Sequence, residues 1–270
     1  MNYSNINGKI VLTADATVPV DNAAFRYGYG LFETMLVQDG AIRLGQYHWE
    51  RLFAGLKQLY FNTPPLMTPQ WLEEKVLRLV QKNRLESLCR VRLQMFAGGG
   101  GLYGLTTKQP IFVIECFPLE ADTLLLNDNG LVAGIAEGLN KSMDTLSNLK
   151  SCNALVYAIG ARQAKAQQWN DALICNTRGN ITESTIANIF WVKNDNIYTP
   201  PLAEGCVAGV MRRHVLETID GITEQALTKE TLLDADEVFL TNAVKKIRWV
   251  GNIENKRFGC KRAREINGLL

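Results

Sequence analysis

Lys150 is the one charged residue between Leu146 and Ala161, in the run Ser147-Asn148-Leu149-Lys150-Ser151-Cys152-Asn153. Burial disfavours an ammonium, so a lysine in apolar surroundings can become a neutral amine and form a Schiff base with a carbonyl. A solvated loop lysine is the alternative. Glu183 lies in Asn180-Ile181-Thr182-Glu183-Ser184-Thr185, a lone carboxylate among small residues. It could hold the proton of a pyridinium nitrogen, or simply close a turn. The run Gly205-Cys206-Val207-Ala208-Gly209-Val210-Met211-Arg212 places glycines just before an expected helix, where free N–H groups and the helix dipole suit a phosphate. Arg51, among Trp49, Leu52 and Phe53, could be a buried phosphate fork or a solvated helix arginine. Gly28-Tyr29-Gly30 lacks the third glycine of a dinucleotide fingerprint. The glycines at 98–101 precede no lysine-bearing helix, so they are not a P-loop.

Composition removes other chemistries. The 29 Lys and Arg residues nearly balance 27 Asp and Glu for a net charge of +2, and no long basic run points to nucleic acid. The loose cluster Lys256, Arg257, Lys261, Arg262 and Arg264 reads as the solvated face of a last helix. With His48 and His214 as the only histidines, no metal site is expected, and neither has neighbours suited to a Ser-His-Asp site. Six scattered cysteines form no C-x-x-C pair and read as reduced thiols of a cytoplasmic protein. No signal-peptide pattern opens the chain. No apolar stretch nears the roughly 18 residues that span a bilayer, so no membrane partner is expected.

These residues need elements to position them. Asn7-Gly8 and Asp39-Gly40 are tight-turn dipeptides between the strands expected at 10–12, 31–37 and 41–44. Tyr47, Leu52, Leu56 and Leu59 recur at helical spacing. A second helix should begin at Thr68 as N-cap with Pro69 in the first turn, its stripe being Leu72, Val76, Leu79 and Val80. Residues 90–96 and 111–116 read as strands. The pattern breaks at 118–122, which gives an N-terminal domain of residues 1–118 and a C-terminal domain of residues 123–270. In the latter, 131–136, 172–176, 181–182, 188–192, 196–199 and 237–241 read as strands. Residues 152–168, 210–218 and 261–269 read as helices, the first with a small-residue face of Ala154, Ala158, Ala161 and Ala164. The class is α+β, with a smaller first layer and a larger strand-rich second one.

Taken in order, the motifs resemble the class IV aminotransferase family, the fold-type IV pyridoxal-phosphate enzymes. The resemblance runs from about Phe25 to Val250. It is sharpest at 183–190, at Tyr198-Thr199-Pro200 and at 205–212, with 26–34 similar to the family's first motif. It implies a smaller N-terminal α/β domain and a larger C-terminal β-rich pseudo-barrel. It also implies pyridoxal 5′-phosphate as cofactor and a homodimer. By the resemblance, Lys150 is the Schiff-base lysine and Glu183 the acid on the pyridine nitrogen. Arg51 and the N–H groups of Val210 and Met211 hold the phosphate. Val207 packs on the ring, and Asn242 and Ala243 form a second phosphate loop. Phe32, Arg90 and Arg92 are candidate substrate contacts; strand alternation puts the two arginines on one face.

Within the family, Asn153 resembles the aminodeoxychorismate lyase and D-amino-acid branches more than branched-chain aminotransferases, and the Asn242-Ala243 pair leans toward the lyase branch. Met95 and Leu102 stand where lyases tend to carry arginines, and the Arg-x-His carboxylate trap of the D-amino-acid enzymes is absent. The resemblance therefore implies amino transfer between a small-molecule substrate, an amino acid or amino-substituted acid, and a 2-oxo acid. The alternative is 4-amino-4-deoxychorismate lyase chemistry releasing pyruvate and 4-aminobenzoate. A cofactor-free binding protein on the same fold is the third reading.

Overall fold

Asn7-Gly8 and Asp39-Gly40 turn the chain back with all four residues at positive φ in the computed structural model, which describes residues 2–99 and 109–270. These turns join β1 (Tyr3–Ile6) to β2 (Lys9–Leu12) and β3 (Gly30–Gln38) to β4 (Ala41–Ile42). With β5 (Leu88–Ala97) and β6 (Pro110–Pro118) they form a six-stranded sheet ordered β2-β1-β6-β5-β3-β4. Between these strands come α1 (Ala23–Tyr27), α2 (Gly45–Gln58) and α3 (Pro69–Asn83). The last starts as its sequence dictates: Thr68 Oγ1 accepts the Trp71 N–H at 3.1 Å, with Pro69 opening the helix. Gly100, Gly101 and Leu102 lie outside the described residues.

The period of two divides this sheet's faces. Val91, Leu93 and Met95 of β5 are fully buried together with Met35, Phe112 and Ile114. The edge of Phe112 meets Trp71 of α3. Arg90, Arg92 and Gln94 point to the other face. Met95, where lyases of the family tend to have arginine, is thus a core position, and its apolar side chain does not bear on the face that carries Arg92.

The second sheet is built from β7 (Leu131–Lys141), β8 (Asp171–Asn176), β9 (Ile181–Ser184), β10 (Asn188–Lys193), β11 (Asn196–Thr199), β12 (Thr223–Glu224), β13 (Glu237–Asn242), β14 (Lys246–Ile253) and β15 (Lys256–Arg257). Strands β10, β13, β14, β7, β8 and β9 follow one another, and β9 pairs back to β10, so the sheet closes on itself. Closure removes the exposed edges that an open sheet must protect. Its core gathers Leu173, Ile189, Trp191, Val238, Leu240 and Val250. The accompanying helices are α4 (Leu155–Ala166), α5 (Val210–Thr218), α6 (Lys229–Asp234) and α7 (Lys261–Leu269). The N-terminus of α7 is tied down by Glu237, whose carboxylate accepts the N–H groups of Arg262 and Ala263.

Several features depart from the sequence reading, among them the short elements β1, α1, α6, β12 and β15, which it did not include. Strand β7 runs five residues past Ala136, because its pairing with β8 breaks after Ile135 and resumes at Asn140. Helix α4 begins at Leu155 rather than 152, and its buried positions are Gly160 and Ala164, while Ala158 and Ala161 are exposed. Strand β14 was not anticipated; its lysine, arginine and asparagine interrupt the alternation. The chain forms two compact units, Met1–Thr123 with Lys150–Asn153, and Leu124–Leu149 with Ala154–Leu270. Residues 150–153 therefore group with the N-terminal unit. No helix among the described residues is long and apolar enough to cross a membrane.

Candidate active site

In the N-terminal unit the edge of β3 is left open where β4 stops pairing, and residues 150–152 dock along it. The Phe32 N–H donates to the Lys150 carbonyl at 2.9 Å, and the Cys152 N–H to the Gly30 carbonyl at 2.8 Å. Gly30 has no room for a side chain: a Cβ there would stand 2.6 Å from the Met95 carbonyl oxygen and 3.1 Å from Cys152 Sγ. The Gly28-Tyr29-Gly30 run, uninformative as a nucleotide motif, is what lets the lysine segment approach.

This docking sets Lys150 Nζ 4.4 Å from the centroid of the Phe32 ring, with the Arg92 guanidinium carbon 3.9 Å from the same centroid. Arg92 also donates to Gln94 Oε1 at 3.0 Å, and burial lowers its pKa below the usual guanidinium value. Cys152 beside them is pushed up to about 11 by burial, against the pull of Arg92, so its thiol stays protonated. Arg90 lies elsewhere on that face, over Phe117 at 4.5 Å.

Arg51 belongs to a second cluster of the same unit. Its Nε and Nη2 grip the two oxygens of Glu33 at 2.8 and 2.5 Å, and His48 Nδ1 contacts Glu33 Oε2 at 2.6 Å. His48 and Arg51 are three apart on α2, which puts both over the buried position of β3. Burial opposes the charge of Glu33, but Arg51 and then His48 outweigh it and bring its pKa down to about 2. The fork is thus held rigid by a fully buried anion.

In the C-terminal unit Glu183 is 3% exposed on β9. Its Oε1 accepts from the Tyr157 hydroxyl at 2.7 Å and from Lys141 Nζ, and its Oε2 from the Val207 N–H at 3.0 Å. The loop that carries Val207 is pinned by two asparagines. Asn148 Nδ2 donates to the carbonyls of Leu202 and Cys206, and Asn188 Nδ2 to that of Val207 at 2.9 Å. The loop ends at Gly209, the N-cap of α5, which offers no side chain to the N–H groups of the first turn although Val210 and Met211 are buried there. A Cβ at Gly209 would fall 1.8 Å from Asn188 Oδ1. The Asn242 side chain turns inward, accepting from the Val244 and Lys245 N–H groups, so it shapes the turn after β13. Thr241 beside it keeps a buried hydroxyl with no hydrogen-bond partner among the described residues.

These features fit a phosphorylated pyridine. A buried helix start without a cap and an orphaned hydroxyl suit a phosphate, and a buried carboxylate with spare acceptor capacity suits a ring N–H. Lys141, Tyr157, Asn148, Asn188 and Thr241 escaped the sequence reading. Asn188 stood inside a quoted motif and could have been found there; Lys141 carried no local signal.

The description "Amino-transferase class IV" matches residues 30–253, and the chain belongs to that family of enzymes. An aminodeoxychorismate lyase of Vibrio harveyi is 30% identical, covering 88% of this chain and 89% of its own length. A putative branched-chain-amino-acid aminotransferase of Methanocaldococcus jannaschii is also 30% identical, covering 98% of this chain and 92% of its own. The branched-chain amino acid aminotransferase of T.th., solved with pyridoxamine 5′-phosphate, shares the fold at a TM-score of 0.85 and 20% identity, over 99% of this chain and 92% of that one.

Proposed function

We propose that the chain is a pyridoxal 5′-phosphate enzyme that moves an amino group between an amino acid and a 2-oxo acid. The observation that carries this reading is that Lys150 and Arg92 both pack on the Phe32 ring, which brings an amine nucleophile and a guanidinium able to hold a carboxylate to one side chain. When bound, the cofactor supplies an aldehyde and an electron-withdrawing ring. Lys150 would link covalently to that aldehyde, and as a free amine would carry the proton from the substrate α-carbon to the cofactor's former aldehyde carbon. Glu183 Oε2 accepts the ring N–H, and Val207 packs on the ring. Arg51, held by Glu33, is the proposed phosphate arginine of the N-terminal unit; in the C-terminal unit the first turn of α5 at Val210 and Met211 and the Asn242-Ala243 turn are the proposed phosphate contacts. Arg92 binds the substrate carboxylate against Phe32; Arg90 stands farther along the strand.

The relative from Vibrio harveyi and Asn153 favour a second reading. Here the same proton abstraction ends in release of pyruvate and 4-aminobenzoate from aminodeoxychorismate. Incubation with aminodeoxychorismate, and separately with panels of amino acids and 2-oxo acids, separates the two. Amino exchange supports the first, and pyruvate release without exchange defeats it. Protein that takes up no pyridoxal phosphate would instead support a binding protein on the same fold. We also propose a cytoplasmic homodimer, on the support of six unpaired thiols and of Val18, Val20 and Phe25, which are exposed on one short segment. A sedimentation mass near that of one chain would contradict the dimer.

A further inference from the structure

Glu183 meets three donors before any ligand is considered. Lys141 comes from the end of β7 and Tyr157 from α4, and both reach Oε1; Val207, from the loop before α5, reaches Oε2. The Lys141 and Glu183 side chains are only 8% and 4% exposed, and Lys141 Nζ also lies 5.4 Å from the Tyr157 ring centroid. Folding alone does not call for such a pair, since a buried ion pair is often replaceable by apolar side chains without loss of stability. Its geometry does something apolar side chains could not. Oε1 is filled by two donors, which leaves the remaining acceptor capacity on Oε2.

We propose that Lys141 and Tyr157 are positioning residues: they turn Glu183 so that Oε2 receives the ring N–H, and the Lys141 charge loosens the hold of Glu183 on that ring proton. This rests on the functional reading above, in which Glu183 partners the pyridine nitrogen. A cation close to a second cation makes the second easier to deprotonate. Lys141 therefore sets how long the ring keeps its proton as pH rises, and with it the ring's capacity to withdraw electrons. The other titratable groups facing Glu183 are the Tyr157 phenol and the Cys206 thiol. Burial and then Glu183 push both upward, Cys206 to about 12, so both remain neutral. The ammonium of Lys141 is the charge in contact with the carboxylate.

The test loads wild-type protein and variants with pyridoxal 5′-phosphate carrying nitrogen-15 in the ring. The ring nitrogen is followed by NMR against pH, with borohydride labelling of Lys150 recorded in parallel. Lys141→Met is expected to raise the pH at which the ring loses its proton by about one unit or more. Lys141→Arg, which keeps the charge, should restore the wild-type profile. Tyr157→Phe should shift it in the same direction by less, and it decides the matter if Lys141→Met does not fold. Unshifted titrations in protein labelled at Lys150 would overturn this proposal alone. Wild-type protein that takes no label at Lys150 would overturn it together with the functional reading.

Discussion

Glu33 is a buried charge that holds Arg51, the proposed phosphate arginine, through two hydrogen bonds. Its carboxyl is held at about 2 instead of 4.5, so its contribution to stability is present above pH 4.5 and lost as pH falls toward 2. Glu33→Gln should cost about 3 kcal/mol at neutral pH and flatten the pH dependence below pH 5, as denaturant unfolding at a series of pH values will show. The same variant should weaken pyridoxal phosphate binding, because the Arg51 fork loses its holder. Arg92 is the proposed partner of the substrate carboxylate instead. Arg92→Met should raise KM for a carboxylate substrate by about 10- to 100-fold and leave cofactor binding intact, a split that steady-state kinetics with parallel absorbance measures. The candidates visible in the sequence were those whose signal is local: a lysine with no charged neighbour, a glycine before a helix. Lys141 was missed because its meaning lies in a carboxylate 42 residues away, and strand pairing, not spacing, brings them together.

At the scale of elements, what the sequence announces is termini and turns. Thr68 with Pro69 marks the start of α3, and Val210 that of α5, because capping and dipole chemistry act within one turn. The two asparagine-pinned ends of the loop before α5 are legible only in three dimensions, since Asn148 and Asn188 come from distant parts of the sequence. The irregular course of β7 was hidden for a similar reason: Gly138 sits at positive φ and breaks the alternation that marks a strand. Gly209→Ala tests the cradle at this scale. Its methyl would collide with Asn188, so pyridoxal phosphate affinity should fall by about 10-fold or more in a binding titration. Glu237→Ala removes the cap of α7 and should destabilise the protein by about 1–2 kcal/mol in denaturant unfolding, without changing that affinity.

For the whole molecule, a near-neutral chain closes one sheet into a ring and builds another with two chemically distinct faces. The α+β class and the strand-rich character of the second part were legible, because short apolar strand-like runs recur there. The closure was not, because it depends on β9 returning to β10 across a single pairing, Asn188 with Glu183. The candidate residues then fall on both compact units, with Lys150 and Arg51 in one and Glu183 and the start of α5 in the other. One covalent experiment tests the proposal most directly, at Lys150. Protein reconstituted with pyridoxal phosphate is reduced with borohydride, digested and mapped by mass spectrometry. The expected result is a single phosphopyridoxyl label on Lys150, lost in Lys150→Ala together with about 10³-fold or more of the activity. A label on another lysine such as Lys141, or no label at all, would contradict it.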